Sequence, residues 1–178
     1  MAQYKATLMD SAAVGRALKR IAHEILEKNG GCENLYLIGI KRRGVPIAQM
    51  IRDNILMIEG KEVEIGELDI TFYRDDLERL NLEPIIAQSQ ISADLTGKTV
   101  ILVDDVLYTG RTARAAMEAV LSHGRAAAIQ LAVLVDRGHR ELPIRGDYVG
   151  KNVPTAKSEH IKVKMPPFEE EMSVELYG

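Results

Sequence analysis

With 178 residues, 46% of them hydrophobic and 28% charged, the chain suits one compact domain over residues 1–178 with a sizeable core, and leaves little room for a second. No apolar run is long enough to cross a bilayer and no leader-like segment stands out, which points to a soluble, cytoplasmic protein with no membrane partner. The net charge of −3 lacks the basic footprint of a general nucleic-acid binder, and the single Cys32 excludes an internal disulfide or a multi-cysteine metal site.

Asp10 or Ser11 can cap a first helix running to about Lys28. Val14, Leu18, Ile21, Ile25 and Leu26 recur at helical spacing, and Gly30 with Gly31 stops the pattern. Residues 35–40 (LYLIGI) form a short apolar run of strand type, residues 41–44 (KRRG) a polar turn, and residues 47–58 a second helical pattern. Residues 63–70 read as a strand. Residues 71–91 are polar, weakly periodic and broken by Pro84, so they read as a long excursion of the kind that carries function. Residues 99–103 are a buried-type strand, 112–122 a helix and 128–135 a further buried-type strand. Strands alternating with helices imply right-handed crossovers, hence an α/β fold with a mainly parallel central sheet flanked by helices. From Asp136 the periodicity fades, and residues 136–165 are expected as a small hood of strands and loops over one end of the sheet.

The chemistry concentrates in residues 100–112, VILVDDVLYTGRT. Four apolar residues carry the backbone through the core; two acids and a turn with Thr109 and Gly110 then lead into a helix, the place where ligands bind in open α/β sheets. A helix N-terminus offers unpaired N–H groups, Gly110 permits tight backbone geometry, and Thr109 and Thr112 add hydroxyls, so a phosphate is the natural occupant. Asp104 and Asp105 would repel it unless the ligand also carries a diol or a cation. A phosphate at one end, ribose hydroxyls in the middle and a Mg²⁺-bound pyrophosphate reconcile acids and donors. An isolated Asp-Asp or Thr-Gly commonly does no more than cap a helix; it is the thirteen-residue arrangement that points to 5-phosphoribosyl-1-pyrophosphate (PRPP). Neither GxxxxGK[ST] nor GxGxxG is present, which removes the main competing nucleotide folds.

With that motif the chain is similar to the type I phosphoribosyltransferases. Together with LVDRGHRELPIR (residues 134–145) and DYVGKNVP (residues 147–154) it resembles one group among them, the PyrR family of pyrimidine-operon attenuation regulators with uracil phosphoribosyltransferase activity. The likeness runs from the first helix, through AHE (22–24), DIT (69–71) and YRDD (73–76), to about Lys164. It implies the type I phosphoribosyltransferase fold, conversion of uracil and PRPP to UMP and pyrophosphate, and binding of a pyrimidine-operon mRNA leader hairpin promoted by UMP or UTP. On that resemblance Asp104 and Asp105 hold the ribose diol and its Mg²⁺, which is carried mainly by PRPP. Val106, Leu107, Tyr108, Thr109, Gly110, Arg111 and Thr112 enclose the 5-phosphate. Lys41, Arg42, Arg43 and Gly44 match the pyrophosphate loop, although many members have Thr where Arg42 stands. Arg74 matches the catalytic flexible loop, and Arg137 and the backbone near Ile161 fall at the base site.

For RNA, Arg16, Lys19, Arg20 and His23 share the face of the first helix opposite its apolar stripe. Arg140, Arg145 and Lys151 match the family's RNA-binding surface, and Lys19 stands where Thr is common. The charge supports such a patch: residues 135–164 hold more bases than acids, whereas the last fourteen residues carry Glu169, Glu170, Glu171 and Glu175 with no Lys or Arg. A homodimer or higher homo-oligomer would double the patch. Aromatics make up only 4% of the chain, favouring recognition of a folded RNA by shape and backbone over stacking on a bare strand. The alternative is a pyrimidine salvage uracil phosphoribosyltransferase whose basic face is incidental.

Overall fold

The structure is a computed structural model that describes residues 2–70 and 89–178. Arg74 and most of the polar excursion lie outside them. The elements run β1 (Tyr4–Met9), α1 (Ser11–Asn29), β2 (Leu35–Ile40), α2 (Gly44–Glu59), β3 (Glu64–Leu68), β4 (Thr99–Leu107), α3 (Arg111–Leu121), β5 (Ala128–Asp136), β6 (Tyr148–Asn152), β7 (His160–Lys164) and β8 (Ser173–Tyr177).

Five strands form a sheet in the order β3-β2-β4-β5-β6, parallel throughout. Both of its faces are covered, which is why its central strands read as unbroken apolar runs rather than alternating ones. The alternation is still there in where each side chain goes. Along β4, Ile101 and Val103 enter the core under α1 and α2, while Val100 and Leu102 enter the core under α3. α1 begins as its sequence dictates: Asp10 caps it, its Oδ1 accepting the Ala13 N–H at 2.8 Å, and Gly30 ends it at a φ of 66°.

Three of the departures from the sequence reading have a clear local cause. α2 starts at Gly44, not Ile47, because Pro46 sits in the first turn, where a missing N–H removes no bond. β4 continues through both acids to Leu107, since Val106 pairs with Val135 and Leu107 with Asp136; the apolar pattern stops before the backbone ladder does. β6 joins the parallel sheet beside β5, so residues 148–152 belong to the main layer and not to a separate hood.

A second sheet, β1-β8-β7, is antiparallel and brings the two ends of the chain together. Met9, Val163 and Val174 pack from it into the core beneath α1 and α2. Glu175 is buried within it, its carboxylate accepting from Lys164 Nζ at 2.7 Å and from the Tyr177 hydroxyl at 2.7 Å. The Lys164 bond and then the Tyr177 bond hold this carboxyl below the usual carboxylate range. A charged residue at an inward position is what disguised β8 as acidic tail.

Among the described residues, no helix is long and apolar enough to cross a membrane. Cys32 is buried and free.

Candidate functional site

β4 delivers Asp104 and Asp105 to the carboxyl end of the parallel sheet, and α3 starts six residues later. Each carboxylate is steadied by the next peptide: Asp104 Oδ1 accepts the Asp105 N–H at 2.9 Å and Asp105 Oδ1 accepts the Val106 N–H at 2.8 Å. Loss of solvent, and after it the neighbouring Asp105 carboxylate, push the Asp104 carboxyl well above the usual carboxylate range. Two negative groups this close, one of them desolvated, are stabilised by hydroxyl donors or a cation.

Gly110 caps α3 at a φ of 95°, a conformation that suits glycine. α3 has neither a capping side chain nor an acid in its first turn, so its N-terminal dipole is available to an anion. Thr109 Oγ1 accepts the Arg111 N–H at 3.3 Å, curling the loop. A cavity of about 310 Å³ results, walled by Asp104 and by every residue from Val106 to Ala113. The residues expected around the 5-phosphate, Val106 through Thr112, are thus gathered about one recess, with Asp104 at its edge.

The basic turn reaches the acids from β2. The Lys41–Arg42 peptide is cis, and the Lys41 N–H donates to the Leu68 carbonyl at 2.9 Å. Gly44 is pressed against β4: a Cβ there would lie 2.3 Å from the Val103 carbonyl oxygen and 3.3 Å from the Asp104 Cα. Only glycine lets cationic turn and acid pair adjoin this closely. Arg43 pairs with Glu169 in the loop between β7 and β8, and its Nε is buried with no partner among the described residues. The guanidinium carbons of Arg42 and Arg43 lie 4.8 and 5.9 Å from the Phe168 ring centroid. Glu169 and Phe168 had no signal in the sequence beyond membership of an acidic tail.

On the other side of the loop from Val106 to Gly110, Arg137 is buried, its guanidinium carbon 4.0 Å from the Tyr108 ring centroid. Its Nε donates to Thr155 Oγ1 and its Nη2 to the Ala156 carbonyl, both at 3.2 Å. His139 contacts the Thr155 carbonyl and meets the Tyr108 ring edge to face. A recess of about 440 Å³ is bordered by residues 136–140 and 152–155. Ile161 lies in β7 opposite Leu176, half-buried against the core of α1 and α2.

The expected RNA residues divide into two sets. Arg16, Lys19 and His23 are exposed on α1, and Arg145 and Lys151 are exposed before and within β6. Arg20 bridges the two groups, donating to the Val149 and Gly150 carbonyls of β6 at 3.2 and 2.6 Å and pairing with Glu24 at 2.7 Å. Lys28 and Asp147 add a second tie at 2.9 Å, so the basic face of α1 and the segment around Lys151 form one surface. Arg140 stands apart. Its guanidinium donates to the Ile144 carbonyl and the Tyr108 carbonyl, both at 2.8 Å, and pairs with Asp136, and its side chain is 23% exposed against 47% for Arg20. Its charge is neutralised internally.

Among the described residues no group of three or more His, Cys, Asp or Glu side chains is placed to hold a metal ion.

The model of the phosphoribosyl transferase domain family matches residues 6–167. The chain is 59% identical over 173 residues to the bifunctional protein PyrR of Clostridium acetobutylicum, covering 97% of each chain. It is 61% identical over 161 residues to that of Acetivibrio thermocellus, covering 90% of this chain and 88% of that one. Among solved structures it is similar to a hypoxanthine-guanine phosphoribosyltransferase from Bacillus anthracis, with a TM-score of 0.75, 20% identity and coverage of 97% and 98%. It also resembles the hypoxanthine phosphoribosyltransferase of Trypanosoma cruzi, with a TM-score of 0.72, 16% identity and coverage of 97% and 96%.

Proposed function

As the chain belongs to the phosphoribosyltransferase family and, within it, to the PyrR proteins, we propose that it converts uracil and PRPP to UMP and pyrophosphate. The same pocket, filled by a uridine nucleotide, governs binding to the leader hairpin of a pyrimidine-operon mRNA. The observation that carries the reading is the seat of Gly44 against Val103 and Asp104, which sets the cationic turn beside the acid pair at the mouth of the phosphate loop.

In this account the 5-phosphate sits in the cavity at the N-terminus of α3, held by main-chain N–H groups and by the hydroxyls of Thr109 and Thr112. Asp104 and Asp105 accept hydrogen bonds from the ribose diol. As the bond from the anomeric carbon to pyrophosphate breaks and the bond to a uracil nitrogen forms, that nitrogen gives up its proton to water or to the departing pyrophosphate. The sugar becomes cationic in the transition state, and the two carboxylates stabilise it. Lys41, Arg42, Arg43 and the turn's amides receive the leaving group. The acid pair, with too few ligands for a cage of its own, suits a Mg²⁺ ion that brings most of its ligands from PRPP, and what such an ion would supply is charge neutralisation of the departing pyrophosphate.

For RNA, Arg16, Lys19, Arg20, His23, Arg145 and Lys151 offer a phosphate-binding surface, doubled in a homo-oligomer. Asp104→Asn combined with Asp105→Asn tests the catalytic half. UMP formation should vanish while the circular dichroism spectrum is retained, and near-normal activity in the double variant would remove the assignment.

A further inference from the structure

The loop between β7 and β8 reaches across to the basic turn, and nothing in the reaction outlined above uses it. Its anchor is Met165, fully buried. The N–H groups of Phe168 and Glu169 both donate to the Met165 carbonyl at 3.0 Å, closing a tight turn. Glu169 is fixed at both oxygens: Oε2 accepts the Met165 N–H at 2.9 Å and Oε1 takes Nη2 of Arg43. Phe168 lies under the guanidinium groups of Arg42 and Arg43. Arg43 in turn is the residue before Gly44, whose Cα is seated on β4 beside Asp104.

Arg43 is not held by its own local bonding. Among the described residues its Nε is buried without an acceptor, an arrangement that costs free energy and is held in place by what packs around it. The surroundings here are a carboxylate and an aromatic face, the two partners that hold a guanidinium best. We infer that Glu169 and Phe168 are positioning residues that preset Arg42 and Arg43 for the pyrophosphate end of PRPP. The inference rests on the reading of residues 41–44 as the pyrophosphate turn.

A carboxylate beside a phosphate-binding cation could instead act as a competitor that the ligand must displace. The double anchoring favours positioning: Glu169 is bonded within its own loop whether or not Arg43 is engaged. The two roles have opposite signs. Removing a positioning group weakens PRPP binding, and removing a competitor strengthens it.

The test uses the full chain with Glu169→Gln, Glu169→Asp, Phe168→Leu and Arg43→Ala. For each, the KM for PRPP, kcat, the calorimetric Kd for UMP and Tm are measured. Glu169→Gln should raise the KM for PRPP roughly five- to tenfold, the loss of one charge-assisted bond. Because UMP lacks pyrophosphate, its Kd and kcat should both stay within about twofold. Glu169→Asp should recover part of the loss, and Phe168→Leu should raise KM about two- to threefold. An unchanged KM in Glu169→Gln, a lowered KM, or an equal loss of PRPP and UMP affinity with a fallen Tm each overturns the inference. Arg43→Ala separates it from the reading beneath it. A large rise in KM there with no effect of Glu169→Gln sinks the positioning role alone, whereas an unchanged KM in Arg43→Ala sinks the pyrophosphate turn and the inference with it.

Discussion

Nη1 of Arg140 donates to the main-chain carbonyl of Tyr108 at 2.8 Å, so the loop that follows β5 is bonded directly to the loop that walls the cavity at the start of α3. The same guanidinium holds the Ile144 carbonyl and the Asp136 carboxylate. A residue expected to touch RNA is therefore part of the scaffold that shapes the ligand site.

Arg140→Ala removes three bonds and leaves the Asp136 carboxylate, 16% exposed, without its cation. A loss of about 2 kcal/mol, or about 4–8 °C of Tm, is expected. RNA binding should weaken as well, but the slope of log K against log salt should hold, because a neutralised guanidinium releases no counterion. Lys19→Ala, which removes an exposed charge, should reduce that slope by about one. Thermal scans and filter binding across a salt series check both halves, and an unchanged Tm in Arg140→Ala would contradict the scaffold role.

Asp104 predicts a pH dependence whose sign follows from its environment. Its carboxyl titrates above the ordinary range because the fold disfavours the ionised form. The penalty is absent only below the unfolded pKa, grows from there as pH rises to the folded pKa and is complete above it, so the unliganded protein gains stability as pH falls from the folded pKa toward the ordinary carboxylate range. Asp104→Asn should raise the Tm of the unliganded protein by about 2–5 °C and flatten this dependence, while abolishing turnover. PRPP affinity of the parent protein should run the other way, falling as pH falls through the same pKa, with proton release on binding. Calorimetry in buffers of different ionisation enthalpy measures that release directly.

Gly44→Ala tests the contact between turn and acid pair. The added Cβ would stand 2.3 Å from the Val103 carbonyl, so the turn must move off β4. Overpacking of this kind costs about 1–3 kcal/mol, and a shift near the reacting groups should raise the KM for PRPP more than tenfold. A variant with parental Tm and KM would show that the contact is not needed.

How much of this was legible in the sequence depended on whether chemistry was local. The thirteen residues from Val100 to Thr112 carry acids, turn and helix start in one run, so a recess walled by this loop could be read in advance. α1 and its basic face were equally plain, since cap, stripe and stop are all short-range signals. The extension of β4 through Asp104 and Asp105 was hidden, because strand pairing with β5 is a long-range property and hydropathy ends at Val103. Glu169 and Phe168 were hidden more deeply. The contact of Glu169 with Arg43 spans 126 positions, and only the fold of β7 against β8 brings this loop to the basic turn. The internal bonding of Arg140 was likewise invisible to a count of charges.

The central claim is that one pocket both makes UMP and reports it to RNA. Titrating a pyrimidine-operon leader hairpin into the protein with and without saturating UMP tests it most directly. The account predicts salt-sensitive binding that UMP tightens at least severalfold, and loss of that response, with basal binding retained, in Asp104→Asn/Asp105→Asn. Absence of hairpin binding in both arms would contradict it and leave a salvage phosphoribosyltransferase with an incidental basic face.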